Sequence, residues 1–108
     1  MPLENFLLSQ LQDPVLSGET RKEVWRRKQL HSLSNLLENH QQEILDALGK
    51  DLGKPPTEAF FEIIAVKQEI KLAQKKLSKW MLSKQINVPV SLKPAKAFVQ
   101  PDPLGCIL

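Results

Sequence analysis

Residues 57–88 contain no proline, and apolar side chains recur through them at helical spacing. Ala59, Ile63, Val66, Ile70, Ala73, Leu77 and Trp80 are separated by steps of four, three, four, three, four and three. Such steps keep one side of an α-helix apolar along its whole length. A helix over 57–82 would run roughly 39 Å at about 1.5 Å per residue. A seam of that length needs a large partner surface, and the residues before it can cover only part of it. Pro55-Pro56-Thr57-Glu58 suits the start, with an acid near the positive end of the helix dipole. Lys67, Lys71, Lys75 and Lys79 line another face.

Prolines divide the rest. They stand at 2, 14, 55, 56, 89, 94, 101 and 103, leaving a second proline-free window at 15–54 where a long helix can exist. Thr20 and Glu23 have capping-box spacing, and Leu30, Leu33 and Leu37 follow at helical intervals. Asn39 and Gln42 form a second box, which predicts a break and then a shorter helix with Ile44, Ala47 and Leu48 inward. Gly53 supplies a left-handed cap, and Pro55-Pro56 prevents continuation.

After Ile86 the period falls to two. Val88, Val90 and Leu92 alternate with Pro89, Ser91 and Lys93, and Ala97-Phe98-Val99 is a second β-prone run. Pro101-Asp102-Pro103 forces an extended turn. Leu104-Gly105-Cys106-Ile107-Leu108 starts a third apolar run with no far boundary, which reads as a strand cut short. The fold class expected is mainly α, with short antiparallel β-strands at the C-terminal end.

Composition narrows the function classes. Of 108 residues, 42% are hydrophobic and 25% charged, the balance of one small globular domain. The net charge of +3 is too small to argue for nucleic acid. A single cysteine excludes an internal disulfide framework and a multi-cysteine zinc site. The start, Met1-Pro2-Leu3-Glu4-Asn5, carries an acid where a secretory leader carries base. No apolar run approaches the roughly 20 residues that span a bilayer. The expected location is the cytoplasm.

Single residues offer little chemistry. Cys106 sits between Gly105 and Ile107, with no base or cation beside it, and reads as a small buried hydrophobe rather than a nucleophile. His40 falls on the face of Leu33, Leu37 and Ile44 and reads as a partly buried or helix-end histidine; His31 has no partner of catalytic type. The lysine line lacks interleaved aromatics and arginines and shares its helix with Glu58, Glu62 and Glu69, so a solvated face is favoured over an anionic membrane. Arg26-Arg27-Lys28 is a similar short cluster. The seam reads as core packing in preference to autonomous pairing, because alanine at 59 and 73 suits close approach to another element. A stand-alone helical module pairing through 59–80 is the alternative. None of the four glycines forms a phosphate-binding loop. Catalytic, cofactor-binding and metal-ligating residues are therefore all expected to be absent.

Four segments carry a family resemblance. Arg21 to Leu37 resembles the first long helix of aldehyde dehydrogenases, where a basic Trp-Arg start precedes leucines. Ile44-Leu45-Asp46-Ala47-Leu48-Gly49-Lys50-Asp51-Leu52-Gly53-Lys54-Pro55 resembles the I-L-x-A-L-x-x-D-L-G-K-P element of that family. Glu58-Ala59-Phe60 through Trp80-Met81 resembles the next helix. Pro94 through Gly105 resembles the strand and P-x-P-L-G turn. Order and spacing match the fatty-aldehyde-like branch with a short N-terminus, from about residue 19 onward. Residues 1–18 depart from the pattern, because Asp13-Pro14 interrupts a stretch that the family makes helical.

The resemblance implies the N-terminal portion of a three-layer α/β enzyme. Residues 1–18 would be a variable segment, 19–87 the helical part beside the cofactor domain, and 88–108 the start of the strands. The parent would oxidise aldehydes to carboxylates with NAD or NADP, through a thiohemiacetal on a cysteine thiolate, a glutamate base and an asparagine that holds the oxyanion. That asparagine belongs to a Pro-Trp-Asn motif beyond Leu108, and no position here matches any of these groups. The partners implied are the remainder of the dehydrogenase chain and, in the parent, further copies of it, with neither nucleic acid nor membrane. The segment alone is expected to bind no cofactor and to be inactive.

Overall fold

A computed structural model describes residues 2–107, with side chains from Phe6 onward. Its described residues form helices α1 (Pro2–Leu16), α2 (Glu23–Asn39), α3 (Gln41–Leu52) and α4 (Pro56–Trp80), then strands β1 (Lys84–Ile86) and β2 (Ala97–Val99). Short 3-10 turns occupy Glu19–Arg21 and Val90–Leu92. The strands pair antiparallel, with Lys84 opposite Val99, Gln85 opposite Phe98 and Ile86 opposite Ala97. The fold is mainly α with a short antiparallel sheet near the C-terminal end, as the sequence implies.

The helix ends follow local chemistry. Gly53 takes φ 64°, and its N–H donates to Gly49 O at 3.0 Å, closing α3 with a left-handed cap. Pro56 opens α4 at the position where a missing N–H costs nothing. The expected break falls between α2 and α3, although His40 rather than Asn39 is the junction residue. The start of α2 is displaced too: Lys22 stays extended (φ −68°, ψ 133°), so the helix begins at Glu23 and Thr20 lies in the preceding 3-10 turn.

Three expectations are corrected. Asp13-Pro14 does not interrupt a helix; Pro14 lies inside α1 near its end, and Ser17 N–H still donates to Asp13 O at 2.9 Å. A proline that close to the C-terminus removes one bond and leaves the earlier turns intact. The alternating run at 88–92 is not a strand: β1 lies earlier, at Lys84–Ile86, and Val90–Leu92 winds into a 3-10 turn after Pro89, which has no N–H to give a ladder. Residues 104–107 form no strand either. Leu104 is 90% exposed and Cys106 is exposed, so the cysteine is not buried packing. Leu108 lies outside the described residues.

The chain divides into two compact units, residues 26–76 and residues 1–25 with 77–108. In the first, Leu37 of α2 and Ile63 and Ile70 of α4 are buried together, with Leu30, Ile44 and Leu45 packed against them. Ala47, expected inward, is exposed, and Leu45 takes the inward place. Arg27 donates to the Gln74 carbonyl at 2.7 Å. In the second unit, Ser78 donates to Glu23 at 2.6 Å, and Arg21 pairs with Asp102 of the Pro-Asp-Pro turn at 3.0 Å.

Candidate interaction face

The seam on α4 is covered along one edge. Ala59, Ile63, Ile70 and Leu77 are buried, whereas Val66 is 43% and Trp80 48% exposed. Ile63 and Ile70 stand seven residues apart and face Leu37, while Val66 and Trp80 flank that line. The expectation that earlier residues cover only part of the seam holds.

A second apolar line runs along the far side of α4. Phe61 is 63% exposed, Leu72 is 38% exposed and Ala65 is exposed. With Gln68 they follow steps of four, three and four, the seam's rhythm shifted by two residues. At about 100° per residue, that shift places the line on the face opposite the core. It is hard to find in the sequence because Phe60-Phe61, Ile63-Ile64 and Ala65-Val66 put apolar residues on neighbouring faces at once.

The lysines do not form a straight line. Each step of four residues advances about 40° around a helix, so Lys67 to Lys79 wind from the core edge to the far side. Lys67, at that edge, pairs with Glu38 of α2 at 2.9 Å. Lys54 pairs with Glu62. The hydrogen bond from Lys67 and then its charge hold the Glu38 carboxyl below its usual value of 4.5; partial desolvation opposes this, and Lys71 and His31 reinforce it. A carboxyl with a lowered pKa stabilises the folded chain above 4.5, and the contribution disappears as pH falls through the lowered value. Glu38→Gln is therefore expected to lower the urea midpoint slightly at pH 7 and to leave it unchanged near about pH 2. Equal effects of the variant at both pH values would show that the Lys67 pair contributes nothing.

The residues singled out for chemistry are scattered. His40 is exposed at the junction of α2 and α3, a helix-end histidine as the sequence implies, its Nδ1 3.0 Å from Glu43 Oε1. His31 is exposed on α2. Among the described residues no group of three or more His, Cys, Asp or Glu could hold a metal ion. No described helix is long and apolar enough to cross a membrane. A pyrophosphate cradle needs clustered glycines opening a helix N-terminus. Here Gly18 caps a 3-10 turn, Gly49 lies inside α3, Gly53 ends α3 and Gly105 follows β2. Hollows of about 220 Å³ beside Phe60, Ile64 and Lys67, about 410 Å³ beside Ile86, Lys93 and Lys96, and about 690 Å³ beside Gln10, Pro14 and Glu19 bring no such glycine cluster together.

No family model matches the chain. Curated proteins do match it, and they share one class. The sequence is 37% identical over 103 residues to aldehyde dehydrogenase family 3 member H1 of Arabidopsis thaliana, covering 94% of this chain and 21% of that protein. It is 34% identical over 91 residues to the 4,4'-diaponeurosporen-aldehyde dehydrogenase of Staphylococcus aureus, covering 83% of this chain and 20% of that protein. Mouse aldehyde dehydrogenase family 3 member B2 matches at 34% identity over 102 residues, 94% of this chain and 21% of the relative. The 108 residues are thus an aldehyde-dehydrogenase-like segment. Within that class the match is to family 3, in accord with the N-terminal portion that the order of motifs implies. The chain spans about a fifth of the length of the curated relatives it matches.

Proposed function

We propose that these residues scaffold and assemble the active site of an NAD- or NADP-dependent aldehyde dehydrogenase, which oxidises aldehydes to carboxylates with groups outside this segment. The observation that carries the reading is identity of 37% to a family 3 aldehyde dehydrogenase across 94% of the chain. The exposed edge of the α4 seam, at Val66 and Trp80, supports it, because apolar surface left beside a buried line is what a further layer covers. On this reading the segment contributes no catalytic, cofactor-binding or metal-ligating residue. Its partners are the remainder of the dehydrogenase chain and, in the assembled enzyme, further copies of that chain, in the cytoplasm and without nucleic acid; this segment itself supplies no membrane contact.

Two assays test this. The purified chain, mixed with NAD or NADP and a long-chain aldehyde, is expected to reduce no cofactor above the blank; turnover would overturn its inactivity. A family 3 enzyme from which the matching stretch has been removed is expected to be inactive, and to regain activity when this chain is co-expressed. Full activity of the shortened enzyme by itself would contradict the scaffolding role.

A further inference from the structure

We infer that two copies of this chain pair antiparallel through the far face of α4. The core edge of the seam is already occupied: Ile63 and Ile70 are buried with Leu37, so pairing through that edge would require unpacking the unit. The far face is open. Phe61, Ala65 and Leu72 lie exposed along it at heptad-like spacing, with Gln68 between the last two. Nothing about the contact depends on the dehydrogenase reading.

Charge decides the direction. Glu58 and Lys76 border this face near opposite ends of it, and both are exposed. Neither side chain makes a hydrogen bond or ion pair among the described residues. They are 18 residues apart, roughly 27 Å along the helix at 1.5 Å per residue. Parallel pairing in register would leave the two Glu58 side chains, and the two Lys76 side chains, on opposite edges of the contact, so that neither charge meets a partner. Antiparallel pairing about a two-fold axis at the level of Val66 and Lys67 sets Glu58 of one copy against Lys76 of the other, twice. The same register places Phe61 over Leu72, twice, and brings the small Ala65 close to the axis, where the backbones approach most closely. Positions on the same side of the face meet in such a dimer, as the Glu58 and Lys76 pair requires.

The isologous geometry gives a test that neither aggregation nor a parallel pair can imitate. Sedimentation equilibrium of the purified 108-residue chain is expected to show a dimer. Phe61→Glu and, separately, Leu72→Lys are expected to give monomers with unchanged helical circular dichroism, since both side chains already face solvent. Glu58→Lys alone sets lysine against lysine, and Lys76→Glu alone sets glutamate against glutamate, so each variant is expected to associate several-fold more weakly than the parent. Mixed in equal amounts, the two variants are expected to form a heterodimer as tight as the parent or tighter, because both contacts become attractive again. A monomeric parent chain would overturn the inference. So would a dimer or aggregate that survives Phe61→Glu and Leu72→Lys, or charge variants that associate no better mixed than alone.

Discussion

Replacing Ile70 by Ala is expected to reduce the unfolding free energy by about 2–4 kcal/mol, the range for removing a buried aliphatic side chain from a packed site. Ile70 is 4% exposed and is buried with Leu37 and Ile63. Val66→Ala, one turn earlier on the same helix, removes a side chain that is 43% exposed, and is expected to cost less than about 1 kcal/mol. Urea titration followed by circular dichroism checks both, with the change appearing in the midpoint. The contrast matters more than either value. Equal costs at 66 and 70 would mean that the seam is buried along its full width in solution.

The opposite perturbation tests the other end of the seam. Ala59 has no exposed surface, so Ala59→Leu forces extra methylenes into a filled site and is expected to destabilise by about 1–3 kcal/mol. Ala65→Leu makes the same chemical change on the far face, where Ala65 is exposed, and is expected to be neutral in the monomer. In the antiparallel dimer, leucine at 65 would crowd the two-fold axis and weaken association. Thermal melts at low concentration and sedimentation at high concentration therefore separate the two effects. A neutral Ala59→Leu would show a void beside α4.

Much of this arrangement was legible because strong local signals agreed with one another. Pro55-Pro56 and Gly53 fix the boundary between α3 and α4 through constraints that no tertiary contact can override. The seam on α4 is a property of spacing, and spacing survives in the sequence. The strands were read less well. Val88, Val90 and Leu92 have the right period, but Pro89 lacks an N–H, and the pairing instead uses Lys84–Ile86, a run with a single apolar residue. Strand choice depends on what lies opposite, here Ala97–Val99, and a pattern along one segment does not contain that information. Cys106 was misread for a related reason: apolar neighbours predict burial only where something exists to bury them.

The interaction face was half legible. Its core edge follows from the heptad steps; its far line at Phe61, Ala65 and Leu72 is blurred by apolar neighbours one residue away. The Arg21 pair with Asp102 had no sequence signal, because 81 residues separate its partners. Lys67 looked like one member of a solvated row, and the winding of that row is what delivers it to Glu38.

The charges on α4 also bear on the chain before it folds. Glu58 lies in its first turn and Lys79 in its last, with Glu62 following the one and Lys75 and Lys76 preceding the other. Glu58 and Lys79, in those end turns, each stabilise the helix through its macrodipole by about 0.3–1 kcal/mol at low ionic strength. These terms require no tertiary partner. A chain stripped of its core is therefore biased toward helix at the two ends of 56–80, and core substitutions there are measured against a reference that shares this bias. Added salt, by screening those ends, would disorder the denatured chain as well as the native one.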